Sequence, residues 1–442
     1  MAVSGGVLIV IALLALMLAL DQGRFGQTFL NGLTSASIYG IMAIGFTLQY
    51  STVWYFDLSY AAMSTTAAYT VLHFHTSDNQ DPSLIFSALV GVLIAAAVSW
   101  MLYTWGYPRF RGRIPPSAAL VIGVIIACGL GVYMGFLFAT PNDLNRHISP
   151  LIGVLTAGVV IAVASSLALG RVQELDNRRL TYAFMLAVGL GAAALGSLAG
   201  VLVFGAPEVN LPMSGTLGVF VVGCISLVLY RGIFYYLRRR ARSPMIMLVA
   251  SLGVMITLIA LVVILFSPQA QDLPDPFGTE PISMLGGSVK GFRIFMWGAV
   301  IAVFAVVALL VNKTKWGKTV RAISDDEEVA LVVGINTPVV IASVFFLGAV
   351  IFGFSGILMG LDTAIRPTMG FIALLKGWIA ATIGGLGNLR GAIVGALLLG
   401  MIENFGVWWI ASDWKDAVAF IVLILFLLFR PGGLLKSKQE RI

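Results

Sequence analysis

The stretch RRRARSPMIMLVASLGVMITLIALVVILF, Arg238–Phe266, sets the class of fold. An arginine cluster and a proline give way to a run, Met245–Phe266, that holds no charged residue. About 20 such residues are what an α-helix needs to cross the hydrocarbon of a bilayer. The rest of the chain is built the same way. Of 442 residues, 59% are hydrophobic and only 11% are Asp, Glu, Lys or Arg, with 49 glycines besides, against roughly 25% charged in a soluble domain. A soluble enzyme is excluded, and no stretch is long enough for an appended globular catalytic domain.

Apolar runs bounded by charged or Pro/Asn-rich breaks give fourteen candidate spans, starting near Val3, Phe29, Leu58, Leu84, Ala118, Ile148, Leu180, Leu217, Met245, Ile294, Val339, Phe371, Ala392 and Ala417. Lipid cannot hydrogen-bond an open backbone, and the runs are twice the length of a barrel strand, so the expected fold is an all-α polytopic membrane protein. The first run, Val3 to Leu20, lacks a basic leader and a small-residue cleavage signature and reads as a retained helix. Cys128 and Cys224 lie inside apolar runs, and His73, His75 and His147 lie at span ends without ligand spacing, which points to neither a disulfide framework nor a metal.

The charges assign sides. A net charge of +7 would point to nucleic acid in a soluble protein, but here the basic residues sit between apolar runs and act as topology signals. With the N-terminus inside, alternate breaks carry 20 of the 27 basic residues, including Arg109, Arg178, Arg239, Lys318, Arg321, Arg390 and Arg430. One missed or invented span would reverse every later loop, so the bias supports fourteen spans with both termini cytoplasmic.

Two breaks are long. Ser267 to Arg293 is acidic and Pro/Gly-rich, faces outside, and reads as a connector or as a lid for an outside partner. Asn312 to Pro338 faces inside and reads NKTKWGKTVRAISDDEEVALVVGINTP. Ser324 is an N-cap candidate with Glu327 as its third-position acidic partner, Asp325 to Glu328 suit the positive end of a helix, and Gly334 stops it before Pro338. The expected product is a two-turn cytoplasmic helix that a soluble partner can push without unfolding it.

Glu328-Val329-Ala330 followed by Gly334-Ile335-Asn336 resembles the coupling loop of ABC importer permeases of the branched-chain amino-acid (LivH) type, and Trp316-Gly317-Lys318-Thr319-Val320-Arg321-Ala322 is similar to that family's lead-in. Further blocks match in order, among them Leu30-Asn31-Gly32-Leu33, Leu374-Leu375-Lys376-Gly377-Trp378, Ile383-Gly384-Gly385-Leu386-Gly387-Asn388, Gly400-Met401-Ile402-Glu403 and Arg430-Pro431-Gly432-Gly433-Leu434. On this resemblance, 29–83 is the N-terminal part of a permease core, 215–311 its centre with the outer loop 267–293, 312–338 the cytoplasmic coupling loop and 339–442 its C-terminal part. An extra helix and outer loop, 1–28, and an extra four-span block, 84–214, have no counterpart in it.

The resemblance implies a permease subunit of an ATP-driven importer in the inner (cytoplasmic) membrane, for branched-chain amino acids or, alternatively, urea or short amides. It implies separate ATP-binding subunits, a second LivH/LivM-type permease subunit and a periplasmic or extracellular substrate-binding protein. The chain has no phosphate-binding loop, so ATP is used by the partners, no cofactor is expected here and the chain is not an enzyme. An ion-coupled secondary transporter is the reading from another class, but it would leave the coupling loop without a role.

Asp325, Asp326, Glu327, Glu328, Ala330 and Gly334 are the expected contacts to the ATPase subunits. Charged groups at membrane depth are costly and therefore candidates for the substrate pathway. They are Asp57 with Ser59 and Tyr60, where the family usually has Asn and His in place of Asp57 and Tyr60, then Arg366, Lys376 and Glu403. The bland alternatives are that Asp57 caps a helix, that Lys376 snorkels outward or pairs with Asp362, and that Glu403 bonds a neighbouring helix. Glycines at three- and four-residue spacing from Gly348 to Gly400 mark helix faces that approach closely in lipid.

Overall fold

The computed structural model describes residues 21–75, 211–241, 243–266, 268–273, 280–408, 411–430 and 432–435. The spans expected from Val3, Leu84, Ala118, Ile148 and Leu180 lie outside the described residues. The other nine are all helices. They are α1 (Gln22–Val53), α2 (Ser59–His75), α3 (Leu211–Leu229), α5 (Pro244–Phe266), α6 (Gly291–Lys313), α9 (Thr337–Asp362), α10 (Met369–Gly384), α11 (Leu389–Gly406) and α12 (Lys415–Phe429). A π-helical turn, Tyr230–Phe234, carries α3 into α4 (Tyr235–Arg240), and the inner loop folds as α7 (Lys315–Asp325) and α8 (Glu327–Val332). Among the described residues, six helices are long and apolar enough to cross a membrane: α1, the α3–α4 rod from Ser214 to Arg240, α5, α6, α9 and α11.

One strand pair departs from the all-helical expectation. Within the outer loop, β1 (Pro281–Met284) pairs antiparallel with β2 (Gly287–Lys290), Met284 facing Gly287. Leu285 and Gly286 both have positive φ, 51° and 77°, the turn that matches the twist of a two-residue hairpin. The hairpin lies on α1, where Gln27 Oε1 accepts from Ser288 N–H at 2.9 Å. This part of the loop is an anchored element rather than a connector.

The chain forms two compact units. The first holds residues 1–61, 270–337 and 358–442. Its axis is α1, buried along most of its length and packed by α6, α10 and α11. Glycines set the closeness of these contacts. A Cβ on Gly400 would meet the backbone of Gly32 and Ala36, and one on Gly395 would meet the carbonyl of Ala380. Such approach is how helices gain contact where lipid supplies no hydrophobic drive between them.

Within this unit the breaks sort by end. Arg24 donates to the Trp408 carbonyl at 2.6 Å, Gln271 and Ile365 exchange backbone bonds, and Arg293 pairs with Asp362 at 2.8 Å. All of these belong to breaks expected outside. At the other end, Ser324 donates to the Ser51 carbonyl, Leu434 and Leu435 N–H donate to Ile383 and Gly384, and Asn388 reaches the Leu435 carbonyl. All of these belong to breaks expected inside.

The second unit holds 62–269 and 338–357. In it, α9 packs on α2 and α3 through Gly353 and Gly356, the latter against the Ser64 backbone. Phe345 lies against Tyr230 and Phe234, and its carbonyl accepts from Ser226 Oγ at 2.9 Å.

Gly395→Ala and Gly400→Ala are expected to destabilise the first unit by about 1–3 kcal/mol each, the cost of overpacking a filled contact. Gly253→Ala and Gly298→Ala, where an added Cβ meets nothing within 4 Å, should leave stability unchanged. Thermal unfolding of the purified variants in detergent checks the contrast, and equal effects at all four positions would refute the packing assignment.

Candidate functional site

The inner loop is built from two capped helices. Thr314 caps α7, accepting from Gly317 N–H at 3.0 Å, and Gly317 lets the helix fold back tightly on the carbonyls of Leu310 and Val311. Val320, Ile323 and Ser324 form the buried face of α7. Ser324 is therefore inside this helix, its hydroxyl spent on Ser51, and is not the cap expected for the acidic helix. Asp326 takes that role, accepting from Glu328 N–H at 2.9 Å and Val329 N–H at 3.1 Å. Glu327 becomes the first helical residue instead of a capping partner. The stop at Gly334 is as expected. With φ at +87° it donates to Leu331, and Ile335 donates to Ala330, each at 3.0 Å.

The result is a six-residue helix pinned by one buried side chain, Ala330. Asp325, Asp326, Glu328 and Gly334 are exposed and Glu327 half-buried. Beside these acids stand Val329, Leu331, Val332 and Val333, from 53% to 90% exposed. Apolar side chains so displayed on a break that faces water form a ready contact surface.

The second candidate group lies in the break between α1 and α2. Asp57, Ser59 and Tyr60 are all buried. Asp57 Oδ1 accepts from Ser59 N–H at 2.9 Å and from Ser59 Oγ at 2.6 Å, so the carboxylate caps the start of α2. Its Oδ2 has no partner among the described residues. Burial pushes the Asp57 carboxyl up to about 6, against the pull of the two Ser59 hydrogen bonds.

The third group is a buried ion cluster. Lys376 Nζ lies 2.6 Å from Glu403 Oε1, 2.7 Å from Asp416 Oδ1 and 3.2 Å from the Tyr39 hydroxyl. The cluster ties α10, α11, α12 and α1 together at one point. Lys376 neither snorkels nor pairs with Asp362, which belongs to Arg293. The reason is that α11 and α12 bring two carboxylates onto the ammonium before it could reach the surface. Glu403 does bond a neighbouring helix. Arg366 stands apart, exposed in the break between α9 and α10. Tyr39 and Asp416 were missing from the sequence-based set. Asp416 opens α12 just before a long apolar run, and that placement of an acid was the only visible signal.

The chain matches the model of the family described as branched-chain amino acid transport system, permease component, over residues 28–150 and 117–427. It is similar to the high-affinity branched-chain amino acid transport system permease protein BraD of Pseudomonas aeruginosa, 35% identical over 172 residues, which are 38% of this chain and 56% of that protein. It is also similar to the corresponding LivH protein of Salmonella typhimurium, 30% identical over 209 residues, 46% of this chain and 68% of that one. The fructose import permease protein FrcC of Rhizobium meliloti is 30% identical over 146 residues, 31% and 40% of the two chains. The chain thus spans a little over half the length of the first of these relatives. No solved structure matches.

Lys376→Met should destabilise the chain by about 3–5 kcal/mol, because Glu403 is left buried and unpaired. Lys376→Met combined with Glu403→Leu removes both charges and should recover most of that loss. Thermal unfolding of the single and double variants measures the coupling, and a double variant as unstable as the single one would show that the pair is not the binding element.

Proposed function

The chain belongs to the branched-chain amino acid transport permease family, and from that premise we propose that it is the membrane subunit of an ATP-driven importer of branched-chain aliphatic amino acids. In this reading it sits in the inner membrane with fourteen spans and both termini cytoplasmic. It works with separate ATP-binding subunits, a second permease of the same type and a substrate-binding protein outside. Residues 29–83 and 215–442 form the permease core, 84–214 an added four-span block.

The observation that carries the proposal is α8, an acidic six-residue helix with three exposed apolar side chains and a fourth, Val333, at its C-cap. The ATP-binding subunits dock there, against Asp325 to Glu328 and the Val329–Val333 surface, with Ala330 and Gly334 fixing the shape of the helix. Closure of the ATPase pair on ATP displaces α8. The displacement passes to α9, which starts three residues after Gly334, and through the Ser324–Ser51 bond to α1. Asp57, Ser59 and Tyr60, immediately beyond the inner end of α1, then act as the inner gate. Arg366 stands at the outer mouth, and Lys376 with Glu403 braces the helices that line the pathway.

Leucine uptake into proteoliposomes containing this chain and its partner subunits should require ATP and be blocked by vanadate. Glu328→Arg should leave the protein inserted but lower uptake by an order of magnitude or more. Asp326→Ala, which removes a cap of about 1 kcal/mol, should lower it less. Uptake driven by an ion gradient without ATP-binding subunits would refute the proposal.

A further inference from the structure

One break of the second unit carries positive charge with nothing beside it to balance it. Between Glu208 and Asp272 the chain has no acidic residue, yet Arg231, Arg238, Arg239, Arg240 and Arg242 fall within twelve residues. The long basic break Asn312–Pro338, by contrast, sets Asp325 to Glu328 close to its lysines.

The arginines of the α3–α4 rod are ordered by the residues between them. Tyr230 and Phe234 turn inward onto Phe345, and the π-helical turn closes with the Tyr235 N–H donating to the Tyr230 carbonyl. Arg231, Tyr235 and Arg239 then follow at four-residue spacing, which puts their side chains within reach of one another. The Arg231 guanidinium lies over the Tyr235 ring at 4.6 Å, and the Arg239 guanidinium lies over the same ring at 4.5 Å. Both arginines are exposed, as is Arg240, and none of the three forms an ion pair among the described residues. Two cations drawn to one ring repel each other, and an anion shared between them relieves that repulsion.

The surroundings select the anion. The rod from Ser214 to Arg240 and the helix that follows it, α5, are both long and apolar enough to cross a membrane, so the arginines stand where hydrocarbon gives way to the polar surface. Exposed apolar side chains adjoin them, Ile233 and Tyr236 on the rod and Met245 at the start of α5, from 40% to 69% exposed. Free phosphate or a soluble polyanion has no partner for that apolar rim. A zwitterionic headgroup would bring its ammonium among arginines with no carboxylate to receive it. An anionic phospholipid supplies a phosphodiester for the guanidiniums and acyl chains for the rim.

We propose that this end of the α3–α4 rod is a binding site for an anionic phospholipid. Arg231 and Arg239, steadied by Tyr235, hold the phosphodiester, Arg240 adds to the positive field, and Ile233 and Tyr236 lie along the acyl chains. The site shares no residue with the coupling loop or the Lys376 cluster, and lipid binding there is independent of the solute carried. A bound lipid fixes the rod on which α9 packs through Phe345, whose carbonyl is held by the Ser226 hydroxyl.

The test uses the full chain in phosphatidylcholine nanodiscs that contain a trace of phosphatidylglycerol with a photoactivatable group in the acyl chain near the glycerol. Label should fall on peptides spanning 231–246, displaced by unlabelled phosphatidylglycerol but not by phosphatidylethanolamine or inorganic phosphate. Arg231→Gln and Arg239→Gln should each weaken binding about fivefold, the share of one arginine at an anionic surface. Lys313→Gln, which removes the same charge at the end of α6, should leave it unchanged. Tyr235→Leu keeps every charge and should still weaken binding, by about threefold, because the guanidiniums are no longer held ready for the phosphate. Tyr235→Phe, which keeps the ring, should not. Competition on the unaltered chain decides the matter even where a variant fails to fold. Label spread over the whole apolar surface, or equal displacement by phosphatidylethanolamine or inorganic phosphate, overturns the site. So does binding that follows net charge alone, with Lys313→Gln as costly as Arg239→Gln. Label that vanishes when ATP-binding subunits are added assigns the surface to a protein partner and overturns it as well.

Discussion

A hydrocarbon layer offers no hydrogen bonds, so a helix shorter than the layer must find partners for its end groups inside the protein. The helix α10 has 16 residues, a length of roughly 24 Å at 1.5 Å per residue against a core of about 30 Å. Its last carbonyls, Ile383 and Gly384, are met by the N–H groups of Leu434 and Leu435. The break before it is held by the paired bonds of Ile365 and Gln271. The chain after α12 and the start of the outer loop are thus structural parts of the membrane unit. Glycine appears where that tail turns in: Gly385 and Gly433, both at positive φ, lie against each other, and a side chain on either would push the tail away from the carbonyls it satisfies.

The same economy explains the Lys376 cluster. Glycine-lined faces pack closely but are smooth, and smooth faces permit sliding. One ammonium shared by Glu403, Asp416 and Tyr39 is satisfied in a single register of four helices. Asp416, 52% exposed, keeps contact with polar surroundings and lessens the cost of burying the other charges. A second polar line runs along the outer half of α1, where Asn31 accepts from Arg293 at 2.9 Å and Thr34 accepts from Trp297.

The helices themselves were legible because apolar length is a strong signal and lipid admits few alternatives. Each of the nine apolar runs among the described residues is a helix, and within the first unit contacts join breaks that lysine and arginine assign to the same side. What escaped was what depends on neighbours in space. Ser324 has the residue type of a cap, but the buried stripe of Val320 and Ile323 carries α7 through it, and Asp326 inherits the role. Lys376 was matched to the nearest acid in sequence, Asp362, because nothing in the order of residues shows that α11 and α12 approach it. The hairpin at 281–290 was hidden by a glycine-rich loop whose turn needs a left-handed Leu285, a residue type that rarely signals one.

The length of α1 has a further consequence. At 32 residues it is roughly 48 Å long, more than the bilayer core is thick, and one unbroken helix meets Ser324 at its inner end and Trp408 at its outer end. A helix is stiff along its axis, so these two contacts share a single mechanical element. Tilt or screw motion imposed at one end of α1 would therefore arrive at the other as a stroke of the same rod, with no relay of side chains between.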